Sequence, residues 1–142
     1  MKKLLLIPVL IFTLAACNQQ QSAEGEEGHK SGNGKLEFAE DSYDFGEIKE
    51  GEVVSHTFKF KNVGTDPVEI LSVNVSCGCT VASKPEKPVG VGQEDEIVIN
   101  FNSKGKAGIN RKTVSVVSNA QNEMVPLTFT AVVNQEAETE EE

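Results

Sequence analysis

Across residues 50–133 apolar side chains recur at every second position in short runs, and no stretch of ten or more shows a helical period. Val54, His56, Phe58 and Phe60 alternate with Ser55, Thr57 and Lys59, the mark of a strand with one buried face. Leu71, Val73 and Val75 repeat this against Ser72 and Asn74, and Ile97, Ile99 and Phe101 against Val98 and Asn100. Val114 and Val116 stand opposite Ser115 and Val117, while Val125, Leu127, Phe129, Ala131 and Val133 make one long face. Pro126 near the start of that run suits the first residues of a strand or an edge. Turn residues separate the runs at 62–67, 85–92, 104–108 and 119–122. With Lys35 to Glu40 and a short Tyr43-Asp44-Phe45 strand, the pattern predicts about seven strands in 100 residues. The predicted fold class is therefore all-β, an antiparallel β-sandwich whose large core anchors are Phe38, Phe45, Phe58, Phe60, Phe101 and Phe129. Tryptophan is absent, so the Cys…Trp…Cys hallmark of antibody domains is missing and packing alone must hold the sheets together.

The chain of 142 residues divides by composition into four segments. Residues 1–16 form a leader: Lys2 and Lys3 are a basic start, Leu4 to Leu14 an apolar run interrupted by Pro8, and Ala15-Ala16 a small-residue cleavage site. The apolar run is shorter than the roughly 18 residues that span a bilayer. Because Cys17 follows the small residues directly, the segment resembles a bacterial lipoprotein signal with its lipobox. That resemblance implies cleavage before Cys17, lipidation there by acyl chains such as palmitate, and anchoring in the bacterial cell envelope. The expected location is the outer membrane, periplasmic or surface-facing. Residues 17–34 are Gln, Ser, Gly and Glu with no apolar side chain beyond alanine after Cys17, so a disordered tether is expected. Residues 35–134 are the sandwich, and residues 135–142, with five glutamates, are expected to be a disordered acidic tail.

Charge narrows the partners. The net charge of −9 becomes −11 once the two leader lysines are removed, and an acidic chain repels phosphate backbones, so no nucleic-acid partner is expected. It also provides no attraction to anionic lipid, so the membrane contact rests on the lipid at Cys17.

The residues between the leader and the tail carry a second resemblance. Asp44-Phe45-Gly46-Glu47-Ile48-Lys49-Glu50-Gly51-Glu52 precedes Val54-Ser55-His56-Thr57-Phe58-Lys59-Phe60-Lys61-Asn62-Val63-Gly64. Pro67-Val68-Glu69-Ile70, Val73 and Ser76-Cys77-Gly78-Cys79-Thr80 follow. Later come Phe101-Asn102-Ser103-Lys104-Gly105-Lys106-Ala107-Gly108 and Val116-Val117-Ser118-Asn119-Ala120. Over roughly residues 37–133 this set resembles the bacterial "domain of unknown function fifteen seventy-three" family of exported proteins and lipoproteins. The resemblance implies an immunoglobulin-like β-sandwich and no established activity. The chain departs from it at Val81-Ala82-Ser83, where a proline often follows the threonine, and at Ala131, where glycine is frequent.

Chemistry concentrates in Cys77-Gly78-Cys79. In a straight strand their Cα atoms would stand nearly 7 Å apart at about 3.3 Å per residue, the limit for a disulfide. Gly78 can tighten the chain into a turn, and a small strained bridge would be readily reduced. The alternative is a pair of thiolates suited to copper(I) or zinc, with His56 as the further obvious ligand. His56 shares the register of Val54, Phe58 and Phe60, and a histidine on such a face is more often a hydrogen-bonded core residue than a ligand. Lys104-Gly105-Lys106-Ala107-Gly108 lacks the spacing of a phosphate loop and reads as a hairpin, and Glu94-Asp95-Glu96 reads as a solvated edge rather than a calcium site. No catalytic residues are assigned. The expected function is a non-enzymatic, cofactor-free envelope module that binds an envelope protein, and the alternative is redox or copper handling through Cys77 and Cys79.

Overall fold

The computed structural model describes residues 32–135. The leader, Cys17, most of the 17–34 segment and the tail beyond Gln135 lie outside the described residues. Eight strands follow in order: β1 (Leu36–Phe38), β2 (Ser42–Lys49), β3 (Val53–Asn62), β4 (Ile70–Val75), β5 (Thr80–Ser83), β6 (Glu94–Asn102), β7 (Gly108–Ser118) and β8 (Met124–Asn134). They form two four-stranded sheets, ordered β1-β3-β6-β5 and β2-β8-β7-β4. Among the described residues no helix is long and apolar enough to cross a membrane.

The alternation read from the sequence is what closes these layers. Phe58, Phe60, Ile97, Ile99 and Phe101 of the first sheet meet Ile70, Val114, Val116, Leu127, Phe129, Ala131 and Val133 of the second, all buried. Each large anchor contributes about 1.5–3 kcal/mol by leaving water. Phe101 and Phe129 meet across the sheets with ring centroids 5.3 Å apart and planes tilted by 53°. Phe38 and Phe45 are only partly buried and pack on the rim of this core.

Four features refine the expectation. The eighth strand is β5, which pairs antiparallel with the second half of β6, Thr80 opposite Phe101. One pair, β2 with β8, runs parallel, because the chain crosses between sheets after β1 instead of turning back. In β4 a bulge between Ile70 and Ser72 rotates Leu71 out of line, so Ile70, 1% exposed, anchors the strand where Leu71 was expected to. Pro126 is the third residue of β8, an interior strand. The N–H of Thr128 donates to Asp41, so the nitrogen of Pro126 points to that same side, before the first β2 partner at Ser42. The proline thus breaks no ladder bond.

The turns are set by particular side chains. Asn62 is fully buried; its Nδ2 donates to the carbonyls of Asp66 and Val89, and its Oδ1 accepts from Gly64 and Lys35. Gly51, at φ +86°, makes the turn between β2 and β3, and the buried Ser103 hydroxyl bonds the carbonyls of Lys49 and Glu52 beneath it. Glu94-Asp95-Glu96 opens β6 ahead of the residues that β5 covers, exposed as expected, with Glu94 opposite Lys61 and Glu96 opposite Lys59.

Candidate functional site

The chain leaves β4 in one sheet and enters β5 in the other through Ser76-Cys77-Gly78-Cys79. Both ends of this passage are tied down: Ser76 N–H donates to Thr113 of β7, and Asn102 N–H of β6 donates to the Cys79 carbonyl. Between them Thr80 N–H donates to the Cys77 carbonyl at 3.2 Å, closing a turn. That turn brings the Cα atoms of Cys77 and Cys79 to 5.3 Å, within disulfide range, and their sulfurs are bonded. The straight-strand separation therefore does not apply here. Both cysteines are half-buried, Gly78 is exposed, and the nearly buried Thr80 places its hydroxyl 3.5 Å from Cys77 Sγ and 4.0 Å from Cys79 Sγ.

Beside the bridge, on the outer face of the first sheet, lies an open groove of about 520 Å³ lined by Val53, Gly78, Cys79, Asn100, Asn102, Lys104 and Lys106. The hairpin after β6 carries the two lysines to the disulfide, although 25 residues separate Lys104 from Cys79 in the sequence. Cys79, not Cys77, lines the groove.

His56 belongs elsewhere. It projects from β3 level with Ile99, with β6 between it and the Ala82 position of β5. Its ring lies flat on Tyr43 at 3.5 Å between centroids and meets Phe58 edge-on at 4.7 Å. Its Nε2 is 3.0 Å from Glu40 Oε1. The three residues of the copper or zinc alternative are therefore not gathered round one point: two are bonded to each other and the third is held by an aromatic shelf and a carboxylate. Among the described residues no group of three or more His, Cys, Asp or Glu is placed to hold a metal ion. The partners of His56, Glu40 and Tyr43, had no periodic signal of their own.

A second surface is defined by what covers each sheet edge. On the β4–β5 side, Lys84 Nζ donates to the Ile70 carbonyl at 2.8 Å, and Val68 and Val89 exchange backbone bonds. On β2 a register shift between Asp44 and Glu47 bends the edge, with Gly46 at φ +68° and its N–H capped by Asp44 Oδ1 at 2.9 Å. That bond, and one with Thr130, holds the Asp44 carboxyl below its ordinary value of 3.8. Bulges and lysines of this kind keep edges from pairing with other chains. The β3 edge differs. β1 pairs only with Phe60, Lys61 and Asn62, and Ala39 N–H adds one bond to Lys59. Backbone groups alternate sides along a strand, so those of Thr57, Ser55 and Val53 point the same way as Lys59. Among the described residues this lower half of β3 has no sheet neighbour on that side.

Among solved structures, this fold is similar to a protein of unknown function from Porphyromonas gingivalis W83 (18% identity, TM-score 0.64), over 72% of this chain and 48% of that one. The chain thus spans about half the length of that relative. It is also similar to the PapD-like domain 7 of human CEP192 (13%, TM-score 0.57), over 80% of this chain and 93% of that one. The YadV chaperone is a third (11%, TM-score 0.52), over 70% and 52%. At these identities the likeness concerns the fold alone, and among curated proteins none matches. Residues 36–133 match the family described as protein of unknown function (DUF1573), and the chain belongs to that family.

Proposed function

We propose that the protein is a lipid-anchored module of the bacterial cell envelope that binds another envelope protein by accepting an extended segment along β3. The observation that carries this reading is the lower half of that strand, Val53–Thr57, which β1 leaves uncovered, while the β2 edge is bent and Lys84 takes the Ile70 carbonyl of β4. An extended segment laid there would bond the N–H and C=O groups of Ser55 and Thr57, the usual source of affinity in strand addition. Val53, 62% exposed, would add apolar contact at its end. The anchor is the lipid that the lipobox-like run places on Cys17, and the segment from Asn18 would lift the sandwich from the membrane by roughly 20–25 Å.

Ser55→Pro tests this reading. The substitution removes an N–H that makes no bond within the sheet, so folding survives while a docking donor is lost. Full-length wild-type protein should capture a specific partner from envelope extract, and the variant should lose it by about tenfold or more, as befits a lost backbone bond plus a steric block. Equal capture by both proteins would contradict docking at β3.

A further inference from the structure

We propose that Cys77–Cys79 is a thiol–disulfide exchange site with a defined polarity: a partner thiol attacks Cys79 Sγ, and Cys77 departs as the thiolate. Three observations converge on this order. Cys79, although packed on one side against the core, lines the open groove, which gives an incoming sulfur a path to the bridge at that residue. The Thr80 hydroxyl stands closer to Cys77 Sγ (3.5 Å) than to Cys79 Sγ (4.0 Å), so it can donate to the charge that develops on Cys77. Lys104 and Lys106 share the groove, and positive charge there favours an attacking thiolate over a thiol.

The bridge has little purpose as a staple. It closes a loop of three residues, and the entropy such a loop removes from the unfolded chain is far smaller than for a bridge between distant strands. The passage it sits in is already fixed by backbone bonds from Ser76, Thr80 and Asn102. Gly78, with nothing within 4 Å of where a Cβ would lie, leaves the outer side of the turn open.

The chemistry balances with a dithiol partner. Its first thiolate forms a bond to Cys79 Sγ as the Cys77–Cys79 bond breaks, and Cys77 leaves with the electron pair. The second partner thiolate then attacks its own sulfur of the mixed disulfide and releases Cys79. Two electrons pass from the partner, which becomes a disulfide, to the cysteine pair, which takes up two protons. In reverse, the reduced pair passes two electrons to a partner disulfide. The two lysines select the partner's class: a cysteine-bearing peptide segment with acidic residues beside the thiol. This inference does not rest on docking at β3: the groove shares Val53 with that edge, but the chemistry uses Cys77, Cys79, Thr80 and the two lysines.

The test uses oxidised full-length protein at pH 7, exposed to reduced glutathione and to two cysteine peptides of equal length, one acidic and one basic. Adducts are quenched in acid and the remaining thiols alkylated; peptide mass separates Cys17 from the pair, and fragmentation of the Cys77-Gly78-Cys79 peptide assigns the adduct to one sulfur. Cys79 should carry at least about tenfold more adduct than Cys77, since the accessible sulfur is the one attacked. The acidic peptide should react at least about threefold faster at low salt, an advantage lost at high salt or in Lys104→Gln/Lys106→Gln. Thr80→Val should slow opening by about fivefold without moving the thermal midpoint by more than a few degrees. Equal adducts on the two cysteines, or a bridge that opens only in denaturant, would overturn the proposal. So would an acidic peptide no faster than the basic one. The glutathione partition needs no substitution, so the outcome stands even if a variant fails to fold.

Discussion

At the scale of single residues, buried polar groups decide more than their size suggests. Asn62 links three chain segments through its side-chain amide, and its loss removes one of two donors to the Val89 carbonyl, the donor to the Asp66 carbonyl and the acceptor for the Gly64 N–H. Asn62→Ala should therefore destabilise by about 2–4 kcal/mol, read from denaturant midpoints, because several buried bonds go at once. Gly64→Ala should be at least as damaging, since a Cβ there would lie 2.4 Å from the Asn33 carbonyl and the Lys35 nitrogen. Only the backbone can move to relieve that contact. Asp44 gives a prediction in pH. Its carboxyl is held below the usual value by the Gly46 N–H, so the charged form is favoured in the folded state. Its contribution is complete above the unfolded value near 3.8 and disappears as pH falls through the lower folded value. Wild type should accordingly lose its advantage over Asp44→Asn on the acid side of about pH 4, and the Asp44 carboxyl should titrate below its model-peptide value by NMR.

At the scale of elements, period-two alternation made β3, β6, β7 and β8 legible, because each has one face in the core and one in water. It was silent where that geometry fails. β5 is four residues long and begins at the end of the cysteine turn, too short to show a period. The β4 bulge shifts the inward face by one residue, which only pairing with β7 reveals. Strand direction leaves no mark on the alternation, so the parallel β2–β8 pair could not be read from it. The cysteine pair stood out from its spacing, yet the groove beside it depends on a hairpin that packs there only in three dimensions. Removal of the bridge tests how the element is held. Cys77→Ser/Cys79→Ser should lower stability by less than about 2 kcal/mol, the loop-entropy value for so small a ring, with the β5–β6 pairing intact by hydrogen exchange. A loss near that of a core phenylalanine would show that the disulfide is a structural staple.

At the scale of the whole molecule, the proposal joins an acylated Cys17, a spacer and a two-layer body with an uncovered β3 edge. The mooring is checked by the intact mass of the protein extracted from membranes: loss of residues 1–16 and addition of acyl chains at Cys17 is the expected result, and an unmodified thiol there would refute it. The central claim is that the β3 edge receives a partner. Its most direct measurement is photocross-linking in living cells, with a light-activated residue placed at Ser55 on the open edge or at Arg111 on the outer face of the other sheet. A discrete cross-linked species is expected from Ser55 and not from Arg111. The same pattern from both positions, or none from Ser55, would contradict it.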